Sequence, residues 1–124
     1  MSLHAGERNR KSAPSAAREL EFARDFLDTN AVRGVRSDEL EAVSGLDRFA
    51  LARQFHRHFG TSPHRYLIMR RLERARTMIH AGTPLAEIAV ATGFVDQSHF
   101  ARHFKKAYGM TPGRWRSLAA HRAP

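Results

Sequence analysis

Apolar residues recur at helical spacing along most of the chain. Leu20, Ala23 and Leu27 fall on one stripe with Phe22 and Phe26 beside it, and Asn30 and Gly34 end the run, so a first helix is predicted from Ala16. Ser37 is placed as an N-cap, Asp38 and Glu39 favour the positive end of a helix, Leu40 and Val43 supply its buried side, and Gly45 closes it. Asp47 then caps a third helix, in which Phe49, Leu51, Phe55 and Phe59 interleave with Arg48, Arg53, His56 and Arg57 as far as Gly60. A hydroxyl followed by proline stands at Ser62-Pro63, Thr83-Pro84 and Thr111-Pro112, and each pair should open a helix. The first of these is long, Pro63 to His80, with Ile68, Leu72, Ala75 and Ile79 on one face and Arg70, Arg71, Arg74 and Arg76 over the others. It reads as a linker whose arginines are solvated or paired internally, with Glu73 and Glu87 available as partners, in preference to contacting phosphate. A short helix over Leu85 to Thr92, a helix from the Asp96 cap to Tyr108, and a last one from Pro112 complete the pattern. The helical spacing of Phe55, Phe59, Phe100, Phe104, Tyr108 and Trp115 makes them core residues rather than base-stacking platforms.

Two stretches of this pattern are copies of one another. At an offset of 49, Ala52 pairs with Ala101, Arg53 with Arg102, Phe55 with Phe104, Gly60 with Gly109, Pro63 with Pro112 and Tyr66 with Trp115. Upstream the offset drops to 48, matching Leu40 with Ile88, Gly45 with Gly93 and Leu46 with Phe94, so the second turn has gained one residue. A short helix, a glycine turn and a basic helix thus occur twice, which is the plan of a helix-turn-helix. The fold class expected is all-α: two helix-turn-helix subdomains joined by a long linker helix, about seven helices in all. The divisions are a disordered basic tail or linker over 1–15, a first subdomain over 16–62, the linker helix over 63–81, a second subdomain over 82–120 and a tail over 121–124.

Composition narrows the function. The absence of cysteine removes disulfides, thiolate nucleophiles and cysteine-ligated zinc together. No apolar run approaches the roughly 20 residues of a membrane span, and the N-terminus lacks the apolar core of a secretion signal, so a soluble cytoplasmic protein is expected. The net charge of +9 is unevenly placed: up to Asp47 there are seven Lys and Arg against nine Asp and Glu, and from Arg48 onward fourteen against three. The basic part suits a polyanion, because neutralising phosphates releases condensed counterions; it also suits plain solubility. Two helices that each carry an arginine, held by a stiff connector, can enter successive major grooves about 34 Å apart on one face of DNA.

The second copy resembles the AraC/XylS family of bacterial transcription regulators, on Ile88-Ala89, Gly93-Phe94, Asp96, Ser98, Phe100, Arg102, Phe104-Lys105, Gly109, Thr111-Pro112 and Trp115-Arg116. The likeness extends from about Arg18 to Arg116 and takes in Arg71-Leu72 and Ala75 of the long helix. It implies a DNA-binding domain whose base-reading positions are Phe49, Ala52 and Arg53 in the first recognition helix and Gln97, Ser98, Ala101 and Arg102 in the second. Arginine can pair bidentately with guanine and glutamine with adenine, while alanine and phenylalanine offer apolar contact to a thymine methyl. Arg48, Arg57, Lys105 and Lys106 are better placed for phosphates. The first copy departs from the family at Glu41, which stands where a small residue like Ala89 is usual. The resemblance also implies promoter DNA as partner, contact with RNA polymerase, and an effector-sensing or dimerisation domain outside this sequence, the whole acting as an activator.

Other readings follow from other features. His99 and His103 stand four apart as metal ligands can, yet without an acidic or cysteine partner they read as DNA-backbone contacts or ordinary surface residues, and no metal or cofactor is expected. Charge alone would suffice for a sequence-indifferent nucleic-acid binder, against which the two differing recognition helices argue. An enzyme is not expected: a DNA-repair methyltransferase can carry a related helical region, but its acceptor cysteine has no counterpart here, nor is there a phosphate-cradling glycine loop or an acid-base carboxylate pair.

Overall fold

In the computed structural model the backbone is described for residues 2–122 and the side chains for 16–120. Seven helices and no strand occur among the described residues: α1 (Ser2–Thr29), α2 (Ser37–Ser44), α3 (Arg48–Phe59), α4 (Pro63–His80), α5 (Leu85–Thr92), α6 (Gln97–Tyr108) and α7 (Pro112–Arg122). In place of the tail or linker expected over 1–15, the helical backbone of α1 extends from Ser2. Apolar periodicity reports burial rather than helicity, so a helix backbone can begin before the stripe that predicted it. Of the tail expected over 121–124, only the backbone to the end of α7 is described.

The helices sort into two units, one comprising residues up to 30 with 35–66 and the other 31–34 with the chain from 67 on. In the first, α1 packs against α2 and α3. Leu20, Ala23 and Leu27 of α1, Leu40 of α2, and Leu51 and Phe55 of α3 are buried. Phe55 meets Phe59 at 4.6 Å and Tyr66 at 5.9 Å between ring centroids, and the Tyr66 hydroxyl donates to Asp28 Oδ1 at 2.7 Å. Phe22, expected beside the apolar stripe, is half exposed.

Helix α4 begins in the first unit and continues into the second as the linker expected, and it also supplies core to the second. Ile68, Leu72, Ala75 and Ile79 form one buried cluster with Ile88 and Ala89 of α5, Phe94 of the turn, and Phe100 and Phe104 of α6, and Trp115 of α7 lies 5.7 Å from Phe104. Most of the long helix is therefore a wall of the second unit's core. Arg71, expected on the solvated side, is buried as well: its Nε donates to the Ala31 carbonyl at 2.7 Å and its guanidinium lies over the Phe94 ring at 5.7 Å. Burial pushes the guanidinium below its ordinary pKa, and the carbonyl and the ring face compensate the lost water. Arg70 behaves as expected, pairing with Glu73 at 3.0 Å.

Two helix starts differ from expectation. Ser37 is the first residue of α2 rather than its cap; Arg36 takes the N-cap position, and Glu39 reaches back to accept from the Arg36 backbone N–H at 2.9 Å. Pro84, not Thr83, precedes α5, and the Thr83 carbonyl accepts from the Arg116 guanidinium instead. Ser62 and Thr111 cap as expected, accepting from Arg65 N and Arg114 N at 3.1 and 3.2 Å. No helix among the described residues is long and apolar enough to cross a membrane.

The turn between each short helix and its basic partner requires a left-handed residue, Gly45 at φ 74° and Gly93 at φ 98°. Their surroundings differ. A Cβ on Gly45 would meet only Glu19 Oε2 at 4.0 Å, whereas one on Gly93 would collide with the Val32 carbonyl oxygen and lie 2.9 Å from Arg71 Nε. Gly45→Ala should accordingly cost about 1–2 kcal/mol, the left-handed penalty alone. Gly93→Ala should cost clearly more, and equal urea midpoints for the two variants would contradict the packing described for Gly93.

Candidate nucleic-acid interface

The buried rings decide what each basic helix shows to solvent. Phe55 and Phe104 have no exposed surface, and with Leu51 and Phe100 they anchor one side of α3 and α6. On the other side of α3, Phe49, Ala52, Arg53 and His56 follow the i, i+3, i+4, i+7 spacing of one exposed face. Ser98, Ala101, Arg102 and Lys105 occupy the same register on α6, with Ala101 half-buried and the others exposed. Within each helix the structure thus brings the expected base-reading residues together, with Gln97 exposed at the first position of α6. Phe49 is 73% exposed, on the same face of α3 as Ala52 and Arg53. His56 and Lys105 hold equivalent places on the two faces, and His56 was not singled out from sequence because a lone histidine on a basic helix carries no signal.

Both helices begin on an aspartate. Asp47 Oδ1 accepts from the N–H groups of Phe49 and Ala50, each at 2.9 Å, and Asp96 Oδ1 from that of His99 at 2.8 Å. These caps satisfy orphan donors and fix the residue at which each helix starts. The first unit adds a second carboxylate. Glu41 Oε2 accepts from the Arg48 backbone N–H at 2.8 Å and from its Nε at 3.3 Å, while Oε1 lies 3.4 Å from Nη2. The Arg48 side chain and its N–H hold the Glu41 carboxyl below the usual glutamate range, and the carboxylate raises the Arg48 guanidinium. Arg48, expected to face phosphate, is exposed but already paired. Glu41 shows itself in the sequence only as a departure from its small counterpart Ala89.

The remaining cations lie toward the C-terminal ends. Arg57, Lys105 and Lys106 are exposed in the last turns of α3 and α6, where they also complement the negative ends of the helices. His99 and His103 are half-buried and bonded to each other, Nε2 to Nε2 at 3.1 Å, and the Val95 N–H reaches His99 Nδ1 at 3.3 Å. A neutral pair satisfies both bonds when His99 carries its proton on Nε2 and donates it to His103. Val95, the residue by which the second turn exceeds the first, is 82% exposed. Among the described residues no three His, Cys, Asp or Glu side chains come together as a metal site.

A family model described as a helix-turn-helix domain matches residues 40–117. The transcriptional activator RhaS of Escherichia fergusonii is 39% identical over 78 residues, covering 58% of this chain and 27% of its own length. The xylose operon regulatory protein of Escherichia coli is 28% identical over 97 residues, covering 77% of this chain and 25% of itself. The chain thus spans between about a quarter and two fifths of the length of the curated relatives it matches. A crystal structure from Chromobacterium violaceum, described as a transcriptional regulator with an AraC-type DNA-binding domain, has a TM-score of 0.76 at 26% identity and covers 87% of this chain and 97% of its own.

The Glu41 contacts make a pH prediction. A carboxyl whose pKa is lowered on folding contributes stability above its unfolded value, and that contribution is lost as pH falls through the lower, folded one. The stability difference between the wild type and Glu41→Gln should therefore be largest near neutrality and shrink below about pH 4.5, as followed by urea unfolding across pH. A difference that stays constant would show that the charge on Glu41 is not what binds Arg48.

Proposed function

Because the chain belongs to the AraC/XylS family of helix-turn-helix regulators, we propose that it is the DNA-binding part of a larger transcription regulator, whose α3 and α6 each enter a major groove. Its function is sequence-specific binding of double-stranded DNA in transcription regulation. The observation that carries the reading is the duplicated constellation: an aspartate cap, an exposed arginine six residues on, and a buried phenylalanine two residues after that, at Asp47, Arg53 and Phe55 and again at Asp96, Arg102 and Phe104. A basic surface needs no such repetition, whereas a reader that must present the same position of two helices does.

In this reading Arg53 and Arg102 pair with guanine edges, Gln97 with adenine, and Phe49, Ala52 and Ala101 lie against thymine methyl groups, Ser98 being adaptable. Arg57, Lys105 and Lys106, with His99 and His103 on the flank of α6, meet phosphates and set position without specifying sequence. The DNA is a promoter in the bacterial cytoplasm, RNA polymerase is a further partner, and an effector-responsive or dimerising domain belongs to the complete regulator, as the short span of the matches against their relatives supports.

Selection from a random duplex library at fixed salt should enrich two short, dissimilar motifs about one helical turn apart. Arg53→Ala and Arg102→Ala should each relax only one motif and cost about 1–3 kcal/mol on the selected site, measured by titration at that salt. Tight binding with no enriched sequence would instead identify a sequence-indifferent binder.

A further inference from the structure

The Glu41–Arg48 pair occurs only in the first unit. Its counterpart positions in the second unit are Ala89, which is buried, and Gln97, which is uncharged and exposed. Arg48 opens the recognition helix of the first unit, where the cationic end of a side chain would reach a DNA backbone. Its guanidinium is nevertheless drawn back onto Glu41, with Nε at 3.3 Å and Nη2 at 3.4 Å from the two carboxylate oxygens. The same carboxylate accepts from the Arg48 backbone N–H at 2.8 Å, so it is fixed by a bond that does not depend on the arginine side chain. That bond leaves a stationary anion beside the first turn of α3.

We propose that Glu41 is a specificity-determining residue, which withholds Arg48 from DNA phosphate and so lowers sequence-independent affinity relative to affinity for the chosen site. The inference rests on the DNA-binding reading above. The physical argument is competition. Phosphate contacts contribute to every duplex equally, so a cation at the head of a recognition helix raises binding to all sequences and narrows the margin between right and wrong ones. A carboxylate that holds that cation removes the contact, and its own charge repels the backbone of a duplex that is not otherwise drawn in. The outcome is a helix that approaches DNA through Phe49, Ala52 and Arg53 with one fewer general attachment.

The test is the salt dependence of binding, which a merely structural role for Glu41 would not raise. Affinities for a selected site and for a random duplex are measured for the wild type, Glu41→Gln and the double variant Glu41→Gln/Arg48→Ala at several salt concentrations. Glutamine keeps an oxygen for the Arg48 N–H, and circular dichroism verifies that each variant is folded. Releasing Arg48 should steepen the logarithmic salt slope on both duplexes by about 0.9, the value of one phosphate contact. It should also reduce the ratio of specific to random affinity at low salt, and the double variant should return the slope to its wild-type value. A slope unchanged in Glu41→Gln, or an increase that persists in the double variant, overturns the proposal while leaving DNA binding intact. A wild type with no salt-dependent affinity for either duplex overturns the DNA-binding reading and this inference with it.

Discussion

A helix offers its partner whichever face its buried side leaves over, and in each unit one phenylalanine ring settles that choice. Phe55 and Phe104 are wholly enclosed. Rotating either helix by a single residue, about 100° of turn, would bring a charged or polar neighbour into an apolar pocket at the cost of an unsatisfied polar group. The ring therefore locks rotation, and the aspartate cap locks the helix start along its axis. Between them Arg53 and Arg102 acquire fixed places that no bond to the arginine itself supplies. The rest of the fold serves these rings: Phe55 meets Phe59 and Tyr66 in a unit where α1 and α2 pack against α3, while Phe104 shares one cluster with α4 and α5 and meets Trp115 of α7.

The second unit shows how a buried polar group can be tolerated close to such a core. Arg71 is held by the Ala31 carbonyl and the face of the Phe94 ring. Ala31 belongs to the four residues between α1 and α2 that fold with the second unit, although the helices on either side of them fold with the first. Gly93 leaves room for this arrangement because it has no Cβ. Arginine, carbonyl and glycine are thus a single packing solution, in which replacing one member strands the others.

Much of this was legible in the sequence because it depended on local chemistry. The αL glycines, the Asp47 and Asp96 caps, the Ser62 and Thr111 caps and the buried stripes of α1 and α4 all follow from residue type and short-range spacing. The repeat at offsets of 48 and 49 carried this to the level of the candidate site, since equivalent positions in two copies mark a common face. What escaped depended on contacts distant in sequence. Arg71 looks like its neighbours Arg70 and Arg74 until Ala31, forty residues away, supplies a carbonyl. Glu41 registered only as a mismatch to the repeat, because a carboxylate seven residues before its partner has no pattern in a chain that turns between them. At Ser37 and Thr83 the stronger intrinsic capper lost its role to a neighbouring residue.

The extra residue in the second turn has its own implication. Gly45 is separated from its aspartate cap by Leu46 alone, Gly93 from its cap by both Phe94 and Val95. The copies have also diverged in what they present, Phe49 in one where the other has Ser98. A site read by both would consist of two unlike words and would not equal its own reverse complement. A symmetric dimer on a palindrome sees the same text from either end. A chain that reads through both helices, as proposed, would not, and once seated it would have a heading along the duplex that makes upstream and downstream distinguishable.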